Sequence, residues 1–150
     1  MKSKVIRLSK SCLGENEKTA VLKVLDQEYL GMGKEVNQFE KILSEYFGRT
    51  ALCVSNGTSA LQLALQAINI GKGDEVLVQS ITYVASFQAI SATGAIPVPC
   101  DVDKEFLCID LKDAEKKISP RTKAIMPVHY AGCPGKLSEV YKLASKYKLR

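Results

Sequence analysis

The residues best suited to chemistry lie in the run Ser55-Asn56-Gly57-Thr58-Ser59, which joins a short apolar stretch to an apolar helical pattern. A helix that starts where a strand ends presents unpaired backbone N–H groups and the positive end of its dipole. Gly57 lets backbone approach a ligand closely, and Thr58 and Ser59 add hydroxyl donors in the first turn. Together they have the chemistry of a phosphate cradle. No Gly-Lys-Ser or Gly-Lys-Thr follows, so the run is not a P-loop, and the missing G-x-G-x-x-G spacing argues against a nicotinamide dinucleotide enzyme. Taken alone, the preferred reading is an ordinary N-cap, in which Asn56 or Thr58 satisfies its own helix. Tyr83 and the pair His129-Tyr130 are the next candidates. His129 is the only imidazole in the chain, and a general base is one role open to it. The cysteines are Cys12, Cys53, Cys100, Cys108 and Cys133, an odd number with no C-x-x-C pair. That pattern disfavours a zinc site and a disulfide framework, and no metal is expected. Cys53 and Cys100 sit in apolar runs and read as buried small hydrophobes. A reducing cytoplasm fits this usage.

These groups need elements to place them. Leu13 to Glu28 has helical apolar spacing, Leu30-Gly31-Met32-Gly33 reads as a turn, and Lys34 to Phe47 reads as a second helix stopped by Gly48. Ala51 to Val54 reads as a short strand and Ser59 to Ile70 as an apolar helix. A strand over Glu75–Gln79, a helix from about Tyr83 to Ala92 and a strand over Ile96–Cys100 follow. Asp101 to Ile109 is irregular or a short strand, and Asp110 can cap a helix over Leu111–Ile118. Lys123 to Val128 reads as a strand and Lys136 to Tyr147 as a helix. This alternation predicts an α/β fold, a mostly parallel sheet with helices on both faces.

Composition agrees with a globular chain. Of 150 residues, 46% are hydrophobic and 25% charged, which excludes disorder, collagen-like repeats and coiled coil. No apolar run is long enough to span a membrane. Met1 to Leu13 lacks the apolar core and cleavage site of a secretory signal. Twenty-one basic against sixteen acidic residues leave a net charge of +5. The densest basic cluster, Lys112, Lys116, Lys117, Arg121 and Lys123, is interleaved with Asp113 and Glu115 and reads as a solvated face. No nucleic-acid-binding motif accompanies it, and neither nucleic acid nor membrane is expected as a partner.

From Gly31 onward the chain resembles the DegT/DnrJ/EryC1/StrS sugar aminotransferases, pyridoxal-phosphate enzymes of the aspartate-aminotransferase fold type. The resemblance runs in order through Leu30-Gly31-Met32-Gly33, Phe39-Glu40, Asn56-Gly57-Thr58-Ser59-Ala60-Leu61 and Gly73-Asp74-Glu75-Val76. It continues through Thr82-Tyr83-Val84-Ala85, Gly94-Ala95-Ile96-Pro97-Val98, Asp101-Val102-Asp103, Thr122-Lys123-Ala124-Ile125 and Pro127-Val128-His129-Tyr130-Ala131-Gly132. It implies a three-layer α/β/α fold, the N-terminal part of a fold-type-I large domain. Residues 1–150 would then be an incomplete cofactor-binding domain, with helices over about 13–47 and strand–helix repeats over 51–150. The rest of that domain and the small C-terminal domain would lie outside it, leaving apolar surface exposed.

The resemblance further implies that Gly57, Thr58 and Ser59 bind the phosphate of pyridoxal 5'-phosphate and that Tyr83 stacks on its ring. A flat ring placed there orients the pyridinium. Gly31, Met32 and Tyr130 match segments near the substrate. His129 matches a site-edge residue and not the base, because the family's base is the lysine that forms a Schiff base with the cofactor. That lysine, and the carboxylate that faces the pyridine nitrogen, fall beyond Arg150, so no catalytic residue is assigned and the chain alone is expected to be inactive. The implied substrates are a nucleotide-linked keto sugar and an amino-acid donor, glutamate being the usual one. A cytoplasmic homodimer is the implied assembly. Two alternatives stay open: a dehydratase relative in which another residue replaces the lysine, and a non-catalytic α/β fragment that binds a phosphorylated ligand.

Overall fold

A computed structural model describes residues 9–150; residues 1–8, part of the stretch read as lacking a secretory signal, lie outside the described residues. The chain divides into two compact units, one up to Cys53 and one over Val54–Arg150.

The first unit is a helical pair. Helix α1 (Glu15–Asp26) is held at its start by Glu17, whose Oε2 accepts from the Gly14 N–H at 2.7 Å. It ends two residues before the expected boundary because Glu28 turns left-handed (φ 53°). Helix α2 (Lys34–Phe47) has the expected limits and stops at Gly48, whose φ of 62° is cheap only for glycine. Between them the Tyr29 ring lies so close to Gly33 that a Cβ there would sit 2.9 Å from ring atoms. Neither helix buries a residue. The strand expected over Ala51–Val54 is not formed. The Ala51 N–H instead donates to Ser44 Oγ at 2.9 Å and the Cys53 N–H to Glu40 Oε1 at 2.7 Å. Side chains of α2 thus satisfy groups that a neighbouring strand would otherwise pair. Cys53 is accordingly half-buried and not the core residue expected.

The second unit is built on three parallel strands in the order β2-β1-β3: β1 (Glu75–Gln79), β2 (Ile96–Cys100) and β3 (Thr122–Met126). Every residue of β1 is buried, as expected of a central strand covered on both faces. Helices α3 (Gly57–Ala67) and α4 (Ala85–Ala92) cover one face, where Leu65, Ile70 and Ile90 pack with Val76, Val78 and Ala124. Helices α5 (Leu111–Lys116) and α6 (Leu137–Tyr147) cover the other, where Ala114, Val140 and Leu143 pack with Leu77, Cys100 and Ile125. Alternate residues of β1 serve opposite cores, and each fully buried side chain contributes about 1.5–3 kcal/mol. The layers are those expected.

Helix α3 runs over Gly57–Ala67 and not Ser59–Ile70, because Asn56 caps it earlier, and α5 ends at Lys116 and not Ile118. In β2, Ile96 N–H and Cys100 C=O bond toward β1, so Pro97 and Pro99 turn their missing donors outward, where proline is tolerated. The Pro99 carbonyl on that side accepts from Lys117 Nζ at 2.8 Å. Strand β3 stops before the expected Val128 because Pro127 has no N–H and the Val128 N–H goes to a side chain, Gln79 Oε1, at 3.0 Å. Asp110 caps α5 as expected, its Oδ1 accepting from the Lys112 N–H at 2.8 Å. Residues 101–109 are irregular apart from an antiparallel bridge between Val102 and Ile109. No helix among the described residues is long and apolar enough to cross a membrane. Many large apolar side chains are exposed, among them Leu30, Tyr46, Leu52 and Tyr141.

Candidate functional site

Helix α3 begins at Gly57 because Asn56 is extended and its Oδ1 accepts from the Ser59 N–H at 2.9 Å. The capping half of the sequence reading is therefore present, and Asn56 provides it. The cap uses only one of the helix's free donors. The Gly57 and Thr58 N–H groups have no acceptor among the described residues, and neither does the Thr58 hydroxyl. Ser59 Oγ lies 3.3 Å from Ser55 Oγ. A Cβ built on Gly57 would meet nothing within 4 Å, so the space in front of these donors is open. Two backbone donors, two hydroxyls and a helix N-terminus with room before it fit a phosphate group. The helix leads through the turn at Gly71–Asp74, closed by Gly71 N–H to Asp74 Oδ2 at 3.0 Å, into the amino end of β1. Its first turn therefore lies toward the carboxyl ends of the strands, the ligand side of a parallel sheet.

Tyr83 belongs to the loop that leaves the carboxyl end of β1, two residues before α4 and not inside it as expected. The loop is well tied. Ser80 bonds the Cys100 carbonyl through both its N–H (2.8 Å) and its hydroxyl (2.7 Å). The buried Ser86 donates its N–H to the Tyr83 carbonyl at 3.0 Å, and its Oγ meets Thr82 Oγ1 at 2.9 Å. The Tyr83 side chain is 78% exposed. It is not a core residue, and its ring is available to a flat partner.

His129 and Tyr130 follow β3 at the same edge. Tyr130 opens a short 3-10 turn, Tyr130–Gly132, with Ala131 left-handed at φ 50°. It is 37% exposed. His129 is exposed, and its ring has no hydrogen-bond partner among the described residues that would orient it as a base. Gly31 and Met32 lie in the first unit, in the α1–α2 turn, where Met32 is 65% exposed. The fold thus brings Gly57, Thr58, Ser59, Tyr83 and Tyr130 to one unit and one sheet edge, while Gly31 and Met32 belong to the other unit.

One residue at this edge escaped the sequence reading. Gln79 closes β1, is fully buried and bonds three loops. A lone amide ending an apolar strand on the ligand side was the available signal.

The tightest charge cluster lies at the opposite, amino edge. Glu75 accepts from Ser119 Oγ, Thr122 Oγ1 and the Arg121 guanidinium. Those bonds, the Ser119 hydroxyl foremost, hold its carboxyl below the usual value. In the basic cluster, Lys117 pairs with Asp113 at 2.7 Å, and Glu115 takes Lys146 at 2.7 Å. Burial pushes the Cys100 thiol up to about 11, so it offers no thiolate near neutrality. Among the described residues, no three His, Cys, Asp or Glu side chains gather as a metal site.

Residues 11–150 match the model of the DegT/DnrJ/EryC1/StrS aminotransferase family. Solved structures agree. The chain is 38% identical to DesV of S. venezuelae, solved in complex with a ketimine intermediate, over 89% of this chain and 36% of that one, with a TM-score of 0.76. It is 31% identical to a putative sugar aminotransferase, Spr1654, of Streptococcus pneumoniae in its PMP form, over 95% and 36%, with a TM-score of 0.86. It is 33% identical to NtdA of Bacillus subtilis with bound cofactor PMP, over 89% and 31%, with a TM-score of 0.82. The chain therefore spans about a third of the length of these structures.

Proposed function

Because the chain belongs to the DegT/DnrJ/EryC1/StrS aminotransferase family, we propose that it forms the phosphate-holding and ring-facing side of a pyridoxal-phosphate site in a sugar aminotransferase. One observation carries the reading: the uncapped donors of α3 share the carboxyl edge of the sheet with an exposed tyrosine ring. In this reading the N–H groups of Gly57 and Thr58 and the hydroxyls of Thr58 and Ser59 hold the phosphate. Tyr83 lies flat against the pyridine ring, and Tyr130 borders the sugar. Gly31 and Met32 line the substrate approach of a homodimer. When bound, the cofactor supplies the electron sink that amino transfer requires. This chain's residues anchor and orient it. The lysine and the carboxylate that the family resemblance implies for the chemistry are not assigned to any residue of this chain.

The substrate in this proposal is a nucleotide-linked keto sugar and the donor is glutamate, as the family resemblance implies. Solved relatives with a PMP form and a ketimine complex support the cofactor. The test starts with absorbance titration of the purified protein against pyridoxal 5'-phosphate, pyridoxal and inorganic phosphate. The proposal expects the phosphorylated cofactor to bind far more tightly than pyridoxal, and phosphate to compete. Equal affinity for the two forms would remove the α3 cradle. Mass spectrometry of a form of the protein that carries the Schiff-base lysine, incubated with cofactor, glutamate and a nucleotide-linked keto sugar, then reads amino-sugar formation, and its absence there would overturn the substrate class.

A further inference from the structure

We infer that Gln79 is a positioning residue, whose buried amide fastens the three loops at the carboxyl edge of the sheet and so fixes where the Tyr83 ring stands. The functional half of this inference rests on the cofactor reading above.

The geometry is specific. Gln79 ends the central strand with no exposed surface. Its Nε2 donates to the Ile81 carbonyl at 2.7 Å and to the Leu107 carbonyl at 3.2 Å, and its Oε1 accepts from the Val128 N–H at 3.0 Å. Donor faces carbonyl and acceptor faces N–H throughout, so the network itself sets the amide's orientation. Each bond reaches a different loop. Ile81 lies two residues before Tyr83, Leu107 lies in the β2–α5 connection, and Val128 lies two residues before Tyr130. Leu107 is also left-handed at φ 54°, a conformation that persists where surroundings impose it.

The residue type carries the inference. The three preceding β1 positions, Val76, Leu77 and Val78, are apolar and fully buried. An aliphatic side chain would continue that pattern without desolvating an amide. An amide there is stable only with its bonds made, and its partners are all backbone atoms of ligand-side loops. The α3 cradle is not among them. Loss of Gln79 should therefore disturb ring placement and leave phosphate anchoring intact.

The experiment compares wild type, Gln79→Leu and Gln79→Glu in the full-length protein. Hydrogen exchange in Gln79→Leu is expected to speed about tenfold at Val128, whose N–H the amide holds, and at Ser86, whose N–H bonds the Tyr83 carbonyl, with Val76–Val78 unchanged. The dissociation constant for pyridoxal 5'-phosphate is expected to rise about tenfold, while that for inorganic phosphate stays constant. A carboxyl buried in place of the amide keeps one donor and one acceptor when protonated and only acceptors when ionised. Gln79→Glu should thus resemble wild type at about pH 5, and at about pH 8 it should release the Ile81 and Leu107 carbonyls while still protecting the Val128 N–H. The inference is overturned by unchanged exchange at the loops, by unchanged cofactor affinity despite faster exchange, or by equal weakening toward inorganic phosphate. A wild type that binds no pyridoxal 5'-phosphate would defeat the cofactor reading instead, and the exchange rates would still decide whether Gln79 fastens the loops.

Discussion

Replacing Gly57 with alanine should separate the fold of α3 from its ligand. The position is the first residue of the helix, its backbone is not left-handed, and an added Cβ would meet nothing within 4 Å. Folding therefore has no steric reason to object. Alanine is the better helix former, so stability should hold or rise by up to about 1 kcal/mol. An anion at this turn does have a reason to object. The added methyl would occupy the space through which a phosphate oxygen reaches the Gly57 and Thr58 N–H groups. Loss of one charge-assisted bond costs about 1.5–3 kcal/mol, which corresponds to a dissociation constant about 10 to 150 times higher. Thermal unfolding monitored by circular dichroism gives the first quantity, and absorbance titration with pyridoxal 5'-phosphate gives the second. Unchanged cofactor affinity would show that the ligand does not approach at Gly57. A drop in melting temperature without ligand would show that the space is not open in solution.

Thr58→Val should weaken the same affinity by about 1.5–3 kcal/mol through loss of its hydroxyl; an unchanged titration would remove Thr58 from the site. Tyr83→Ala should lower cofactor affinity by a factor of about 2 to 10 while Tyr83→Phe retains it, and both should fold normally because the ring is exposed. Equal affinities for the two variants would refute stacking. Glu75→Gln should destabilise the protein by about 2 kcal/mol at neutral pH. A carboxyl held below its ordinary value contributes fully above that value, and the contribution disappears as pH falls through the folded one. The gap in urea midpoint between wild type and variant should therefore close in acid, and a gap independent of pH would contradict the assignment. Finally, iodoacetamide at mildly alkaline pH should modify the exposed Cys12 and leave Cys100 untouched until the protein unfolds. Native labelling of Cys100 would mean that the sheet opens.

What the sequence disclosed, and what it hid, follows from the range of the interactions involved. Strand β1 was legible to the residue because a central strand buries both faces and its side chains announce it. The start of α5 was legible because Asp110 caps its own helix within three residues. Ala51–Val54 was not, because an apolar run becomes a strand only when a neighbour pairs with it. The Ser44 and Glu40 side chains that took its N–H groups come from a helix already complete. The end of β3 was hidden for the same reason. Its last expected N–H was claimed by Gln79, 49 positions away in sequence.

Tyr83 shows how the two kinds of information combine at the candidate site. Local pattern alone placed it at a helix start, and only the family resemblance suggested a ring facing a cofactor. In the fold the residue is neither helical nor buried, although the serine and threonine bonds around it hold its backbone firmly. An exposed aromatic ring gains little from burial. A tightly bonded loop is not needed to hold a ring that only water meets. The fold therefore holds the Tyr83 loop by bonds that burial of the ring does not account for, and the proposed stacking on a flat ligand would draw on that pre-ordering.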